Sequence, residues 1–192
     1  QWEKIDALLN YLKSRGIGPD WYDFMYSPDQ HWDVNKRLLI PFYWRGDTVG
    51  FTGRMFEQSD KVKYYTDVQP GYVFNMDAQD WTRKFVIVTE GPFDAIAIKR
   101  NAIPLLGKNI QSSLMKKIVT SVVDKIYIAL DRDAIKQALK FCEKLMAEGK
   151  EVYLVDLQDK DPSEMGFENF TKLIHKTVPL TYYDLMEQKL SL

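Results

Sequence analysis

The stretch "FVIVTEGPFDAIAIKRN", residues 85–101, decides the fold: an apolar run stops abruptly on Glu90, turns at Gly91 and Pro92, and resumes with the spacing of a helix that carries Asp94 in its first turn. A second stretch, "KIYIALDRDA" at 125–134, repeats the plan and stops on Asp131 and Asp133. Short apolar runs bounded by turn residues are strands of a sheet buried on both faces. Working outward, strand candidates at 85–89, 102–106, 125–130 and 151–155 alternate with helix candidates at 93–100, 110–123, 134–148 and 163–176. That rhythm predicts a parallel sheet with helices on both faces. Pro92 suits a helix start, where its missing amide is harmless, and Gly149 suits a left-handed helix end. Reactive groups in such sheets collect beyond the carboxyl ends of the strands. Glu90, Asp131, Asp133 and the loop "DLQDKDPSE", with Asp156, Asp159, Asp161 and Glu164, therefore share one rim.

Upstream of this sheet the chain has a different character. Ile5, Leu8, Leu9 and Leu12 fall at helical spacing over 2–13, and "SRGIGP" ends that helix. "KRLLIPFYWRGDTVGFTGRMF", 36–56, is two aromatic and aliphatic runs joined by the turn "RGD", as in an antiparallel hairpin. Residues 61–74 continue in β-favouring Tyr, Val and Thr. The expected organisation is a small mixed α+β subdomain at 1–80, the parallel sheet at 81–178, and the start of a further helical segment at 179–192.

Composition removes several classes of function. A chain of 192 residues with 45% hydrophobic content can bury a core. Its apolar runs fall far short of the roughly 18 residues needed to cross a bilayer, and "QWEKIDALLNYLKSRG" has no signal-peptide core, so the expectation is a cytoplasmic protein with no membrane contact. The lone Cys142 excludes an internal disulfide and a multi-cysteine zinc site, and its setting in "IKQALKFCEKLMAEG" predicts a buried thiol. His31 and His175 have no ligand spacing around them and read as surface or packing residues. A formal net charge of −1 argues against a uniformly basic nucleic-acid coat while permitting a local patch.

Carboxylates gathered on one rim repel one another and raise their own pKa values unless cations compensate. Oxygen donors without histidine or thiolate suit Mg²⁺ or Mn²⁺, which completes its shell with water and phosphate, so the rim points to phosphoryl or nucleotidyl chemistry. Taken singly, Asp94 also reads as a helix-start charge and Asp133 as a helix N-cap. Three acidic strand ends exceed what capping requires.

"EGPFD", "LDRD" some forty residues on, and "DKDPSE" together resemble the three-part signature of the topoisomerase–primase (Toprim) domain. "YLKSRGI", "RLLIPFYWRGDTVGFTGRMF", "KYY", "PLLGKNI" and "VPLTYYDLM" are similar, in order, to the RNA polymerase core of bacterial-type DNA primases, phage versions included. The resemblance implies an α/β fold: a Toprim parallel sheet flanked by helices, preceded by the small α+β subdomain. It implies synthesis of short RNA primers on single-stranded DNA from nucleoside triphosphates during DNA replication. Glu90, Asp131 and Asp133 would be catalytic and hold Mg²⁺ or Mn²⁺, with Asp161 adding to the shell and Asp94 supporting it, as two-metal nucleotidyl transfer requires. Asp159 and Glu164 match the third acidic motif less fully. Arg37, Arg54, Lys63, Tyr64 and Lys108 would contact template or nucleotide phosphates among stacking aromatics, whereas Arg45 and Lys61 read equally well as surface charges. Two departures stand out. The glycine usual between the paired aspartates is Arg132, which could crowd the metal or contact a phosphate itself, and "YYT" replaces "YLN" at 64–66. There is no GxxxxGK[ST] loop for a helicase motor. A replicative helicase would be engaged through domains outside these 192 residues, which read as a piece excised from a longer primase. The rival readings are a Toprim nuclease and a non-catalytic nucleic-acid-binding module.

Overall fold

The hairpin of the first half is set by its turn. Arg45 and Gly46 have φ of 51° and 86°, two successive left-handed residues between the paired Trp44 and Asp47, and this type of turn matches the twist of the strands it joins. The structure, a computed structural model, describes residues 2–27, 36–58, 62–74, 80–99, 101–106 and 112–192. It divides into two compact units, Gln1–Ala78 and Gln79–Leu192.

In the first unit, helix α1 (Trp2–Ser14) buries Leu8 and Leu12. Strands β1 (Met25–Tyr26), β2 (Arg37–Trp44), β3 (Asp47–Met55) and β4 (Tyr64–Val68) form an antiparallel sheet in that order. Alternation along β2 buries Leu38, Ile40 and Phe42, and Phe42 stacks on Tyr72 at 5.1 Å. Where β3 meets β4, a Cβ on Gly50 would lie 2.4 Å from the Asp67 carbonyl, so the close pairing needs glycine there. The two-residue β1 carries no period in the sequence and was not expected.

The second unit contains the parallel sheet, with strands β5 (Phe85–Thr89), β6 (Ala102–Pro104), β7 (Lys125–Ala129) and β8 (Glu151–Leu154) in the order β6-β5-β7-β8. Its helices are α2 (Pro92–Ile98), α3 (Ser112–Thr120), α4 (Ile135–Ala147), α5 (Pro162–Met165), α6 (Phe167–Lys176) and α7 (Tyr182–Leu190). The route from β5 to β6 steps one way across the sheet, while the routes from β6 to β7 and β7 to β8 step the other way. Because parallel crossovers are right-handed, α2 lies on one face and α3 and α4 on the opposite face. Ile87, Ala102 and Ala129 of the sheet close against Ala95 and Ile98 of α2 and Phe170 and Ile174 of α6.

Several element boundaries differ from the sequence expectation. The helix expected over 163–176 is two, because Gly166 at φ 78° and ψ 159° breaks it between α5 and α6. The helix expected from 134 begins instead with a 3₁₀ turn at Arg132–Ala134. Strand β6 stops at Pro104, although the Leu105 amide still donates to Thr89 O at 2.9 Å. Helix α7 packs on α4, buries Leu185, and is capped reciprocally by Thr181 and Asp184. Among the described residues, no helix is long and apolar enough to cross a membrane.

Candidate metal centre

Strands β5 and β7 are neighbours, with Thr89 opposite Ala129, yet the chain leaves them in opposite directions: β5 runs into α2 on one face and β7 into α4 on the other. Such a divergence opens a notch at the carboxyl end of the sheet. Glu90 is the first residue past β5, and Asp131 follows β7 after Leu130. The Asp131 amide donates to Glu90 Oε2 at 3.1 Å, which ties the two exits together. Asp131 is extended, at φ −62° and ψ 155°, and its carbonyl accepts from the Ala134 amide at 2.9 Å. The tight 3₁₀ turn this closes brings Asp133 back to the notch. Glu90, Asp131 and Asp133 each offer a carboxylate oxygen within 4.8 Å of the others, the first two half-buried and the third exposed.

The electrostatics of this trio are unfavourable for bare carboxylates. Glu90 is held above its ordinary pKa, chiefly by burial and then by the charge of Asp131, against which the Asp131 amide works in the other direction. Asp131 is raised as well, by burial first and then by Asp161, Asp133 and Glu164, with its bond to Glu90 opposing. A divalent cation removes both penalties at once. The donor set, oxygen only, fits a hard cation.

The remaining acidic residues build the surroundings. Asp94 is buried at 7% exposure, and both of its oxygens are engaged: Oδ2 accepts from the Gly91 amide at 3.3 Å and Oδ1 from the Ser163 amide at 3.2 Å. It therefore caps the start of α2, as the simpler reading of the sequence had it, and also fastens the α5 turn to the β5 exit. Asp161 caps α5, accepting from Ser163 Oγ at 2.7 Å and the Glu164 amide at 2.8 Å, while lying near enough to Asp131 to raise its pKa. Arg132 points away from the trio, its Nη1 3.1 Å from Asp159 and its Nη2 3.7 Å from Asp156. It does not crowd the notch.

In the first unit the expected phosphate contacts separate. Arg37 is buried at 2% exposure, and its guanidinium donates to the carbonyls of Gly53 at 3.1 Å, Val62 at 2.9 Å and Lys63 at 3.3 Å. An amphipathic hairpin ordinarily places Arg outside, and here the fork instead ties β2 to β3 and the segment before β4. Arg54 is 9% exposed, with Nε 2.8 Å from Tyr11 Oη and its guanidinium over the Tyr64 ring at 4.7 Å. Its Nη1 is buried with no hydrogen-bond partner among the described residues. Tyr64 and Lys63 are exposed, and Arg45 lies 5.3 Å over the Trp44 ring. Tyr11, the hydroxyl partner of Arg54, escaped the sequence reading because it sits on α1, far along the chain. Lys61, Lys108, His31 and Trp32 lie outside the described residues, and His175 is exposed at the end of α6.

No family model matches the chain. It is 24% identical over 153 residues to a DNA primase of Mycoplasma pneumoniae, covering 72% of this chain and 25% of that protein. It superposes on the zinc-binding and RNA polymerase domains of Aquifex aeolicus primase with a TM-score of 0.74 at 26% identity, over 94% of this chain and 59% of that one. The chain has the fold of a bacterial-type primase catalytic core. The E. coli primase catalytic core gives a TM-score of 0.71 at 17% identity, over 97% of this chain and 77% of that one. The primase fragment of the bacteriophage T7 primase-helicase protein gives 0.56 at 18% identity, over 86% and 70%. The chain thus spans about a quarter of the length of the curated primase it matches and a little over half of the Aquifex primase chain.

Proposed function

We propose that this chain is the catalytic core of a DNA primase, a nucleotidyltransferase that builds short RNA primers from nucleoside triphosphates on a single-stranded DNA template in the cytoplasm. One observation carries the reading: on a fold shared with primase cores, three carboxylates converge within 4.8 Å at the point where neighbouring strands diverge. Glu90, Asp131 and Asp133 hold Mg²⁺ or Mn²⁺, and Asp161 adjoins them from the α5 loop. When bound, such ions neutralise phosphate charge and activate a hydroxyl nucleophile. The protein's own part is positional. The Asp131 amide locks Glu90 in place, Asp94 pins the β5 exit to the α5 loop, and the 3₁₀ turn presents Asp133. In the first unit, the buried Nη1 of Arg54, which has no partner among the described residues, suits an anionic oxygen, and Tyr64 and Lys63 supply a ring face and a charge for nucleic acid. A replicative helicase is the expected partner, in keeping with the likeness to the primase fragment of the T7 primase-helicase protein.

The test is incorporation of labelled ribonucleotides by the protein in its full natural length, with single-stranded DNA and Mg²⁺ or Mn²⁺. Incorporation that depends on template and metal, and that disappears in Glu90→Gln and Asp131→Asn, supports the reading. Metal-dependent cutting of nucleic acid without nucleotide points to a nuclease, and incorporation unaffected by Asp131→Asn removes the site.

A further inference from the structure

The arginine between the two paired aspartates is exposed and charged. The 3₁₀ turn Arg132–Ala134 closes through main-chain atoms and needs no side chain at 132. The guanidinium reaches back over the rim to two carboxylates of the loop after β8, Asp159 at 3.1 Å and Asp156 at 3.7 Å. All three groups are well exposed, at 62% for Arg132, 89% for Asp159 and 74% for Asp156. Exposed pairs of this kind contribute little to stability, about 0–1 kcal/mol, and rearrange readily. An arginine fork binds phosphate oxygens in two-point fashion, whereas here its two nitrogens meet two separate exposed carboxylates.

We infer that Arg132 is a substrate-binding residue held in reserve: in the free protein it is occupied by Asp156 and Asp159, and it exchanges them for the polyphosphate of an incoming metal-bound nucleoside triphosphate. The inference rests on the proposed nucleotidyl-transfer reading, since it needs a polyphosphate at the Glu90, Asp131 and Asp133 notch. Arg132 stands in the chain between two of those carboxylates, so a polyphosphate that meets them arrives beside it. The two aspartates act as a substitute anion, keeping the cation from collapsing onto the notch and excluding the metal. The exchange also sets a specificity. A ligand with several phosphate oxygens displaces both carboxylates, whereas a monophosphate competes poorly.

The experiment measures equilibrium binding of a fluorescent ATP analogue in the presence of Mg²⁺, alongside Mn²⁺ binding to the nucleotide-free protein by electron paramagnetic resonance. Arg132→Ala is expected to weaken nucleotide binding about tenfold or more while Mn²⁺ binding is retained or slightly tightened, because a nearby positive charge has gone. Arg132→Lys is expected to be intermediate, since one ammonium replaces a fork. Asp156→Asn with Asp159→Asn is expected to tighten nucleotide binding several-fold by freeing the arginine. Nucleotide binding by Arg132→Ala equal to wild type overturns the inference, as does weaker binding in the double aspartate variant with Mn²⁺ affinity unchanged. Absence of any metal-dependent nucleotide binding in the wild-type protein instead overturns the nucleotidyl-transfer reading on which the inference rests.

Discussion

Replacing Arg37 by methionine keeps the buried aliphatic stem and deletes the guanidinium, and it should destabilise the first unit by about 3 kcal/mol. The arginine serves three main-chain acceptors, at 2.9 Å for Val62, 3.1 Å for Gly53 and 3.3 Å for Lys63. A buried acceptor stripped of its donor costs about 1–3 kcal/mol, and the 3.3 Å bond counts least because it is near the limit of useful geometry. Two full losses and a partial one give about 3–5 kcal/mol, reduced somewhat because a buried cation no longer has to be desolvated. For a unit of this size the melting transition should fall by about 10 °C or more. Calorimetry reads the transition, and hydrogen exchange at the Met55 amide, which donates to the Lys63 carbonyl at 3.0 Å, reads the local ladder. A variant that melts within about 2 °C of wild type but loses single-stranded DNA affinity, with a salt slope reduced by about one, would refute the argument and return Arg37 to the phosphate-contacting group.

The metal-free protein should become less stable as pH rises just above the ordinary carboxylate range. Glu90 and Asp131 both have raised pKa values, so the folded state holds those protons more tightly than the unfolded chain and loses that advantage on ionisation. Glu90→Gln should accordingly melt above wild type at pH 7 and level with it at pH 3, and added Mn²⁺ should raise the wild-type melting temperature but not the variant's. Gly50→Ala should cost about 2 kcal/mol or more and strip exchange protection from β4, since its Cβ would lie 2.4 Å from a main-chain oxygen; unaltered protection in the 64–68 amides would show that the two strands can part without loss. Asp94→Asn should cost about 1–2 kcal/mol, because asparagine keeps one acceptor oxygen for the Gly91 and Ser163 amides and turns a donor nitrogen toward the other, and urea titration checks it. Cys142 is buried with its thiol pushed up to about 12, so a thiol reagent at pH 8 should modify it only at the rate of global unfolding.

The second unit was legible because its strands are buried on both faces. "FVIVT" and "KIYIA" are near-continuous apolar runs that end where the sheet ends, and the carboxylates follow immediately. What no local pattern carries is strand order: nothing near 85 says that its neighbour on one side is forty residues away. Hence the strand ends alone place Glu90, Asp131 and Asp133 on one rim, and only the structure brings their oxygens within 4.8 Å of one another. The setting of Arg37 was illegible for the converse reason. Hydrophobic period places its position on a strand, but its burial depends on three carbonyls supplied by β3 and by the segment before β4, which sequence period does not locate. Gly166 was visible as a glycine, though not as a break, because glycine inside a helical pattern is tolerated as often as it interrupts.

Since Glu90 and Asp131 lie one and two residues past the last rung of one hydrogen-bonded ladder, Thr89 with Ala129, their separation is inherited from strand spacing and owes nothing to the length of chain that wanders between them. The excursion through α2, β6 and α3 can therefore grow or shrink by whole turns while the oxygens stay put. Relatives of this chain are better sought by matching the two short strand ends independently than by any ruler laid along the intervening residues.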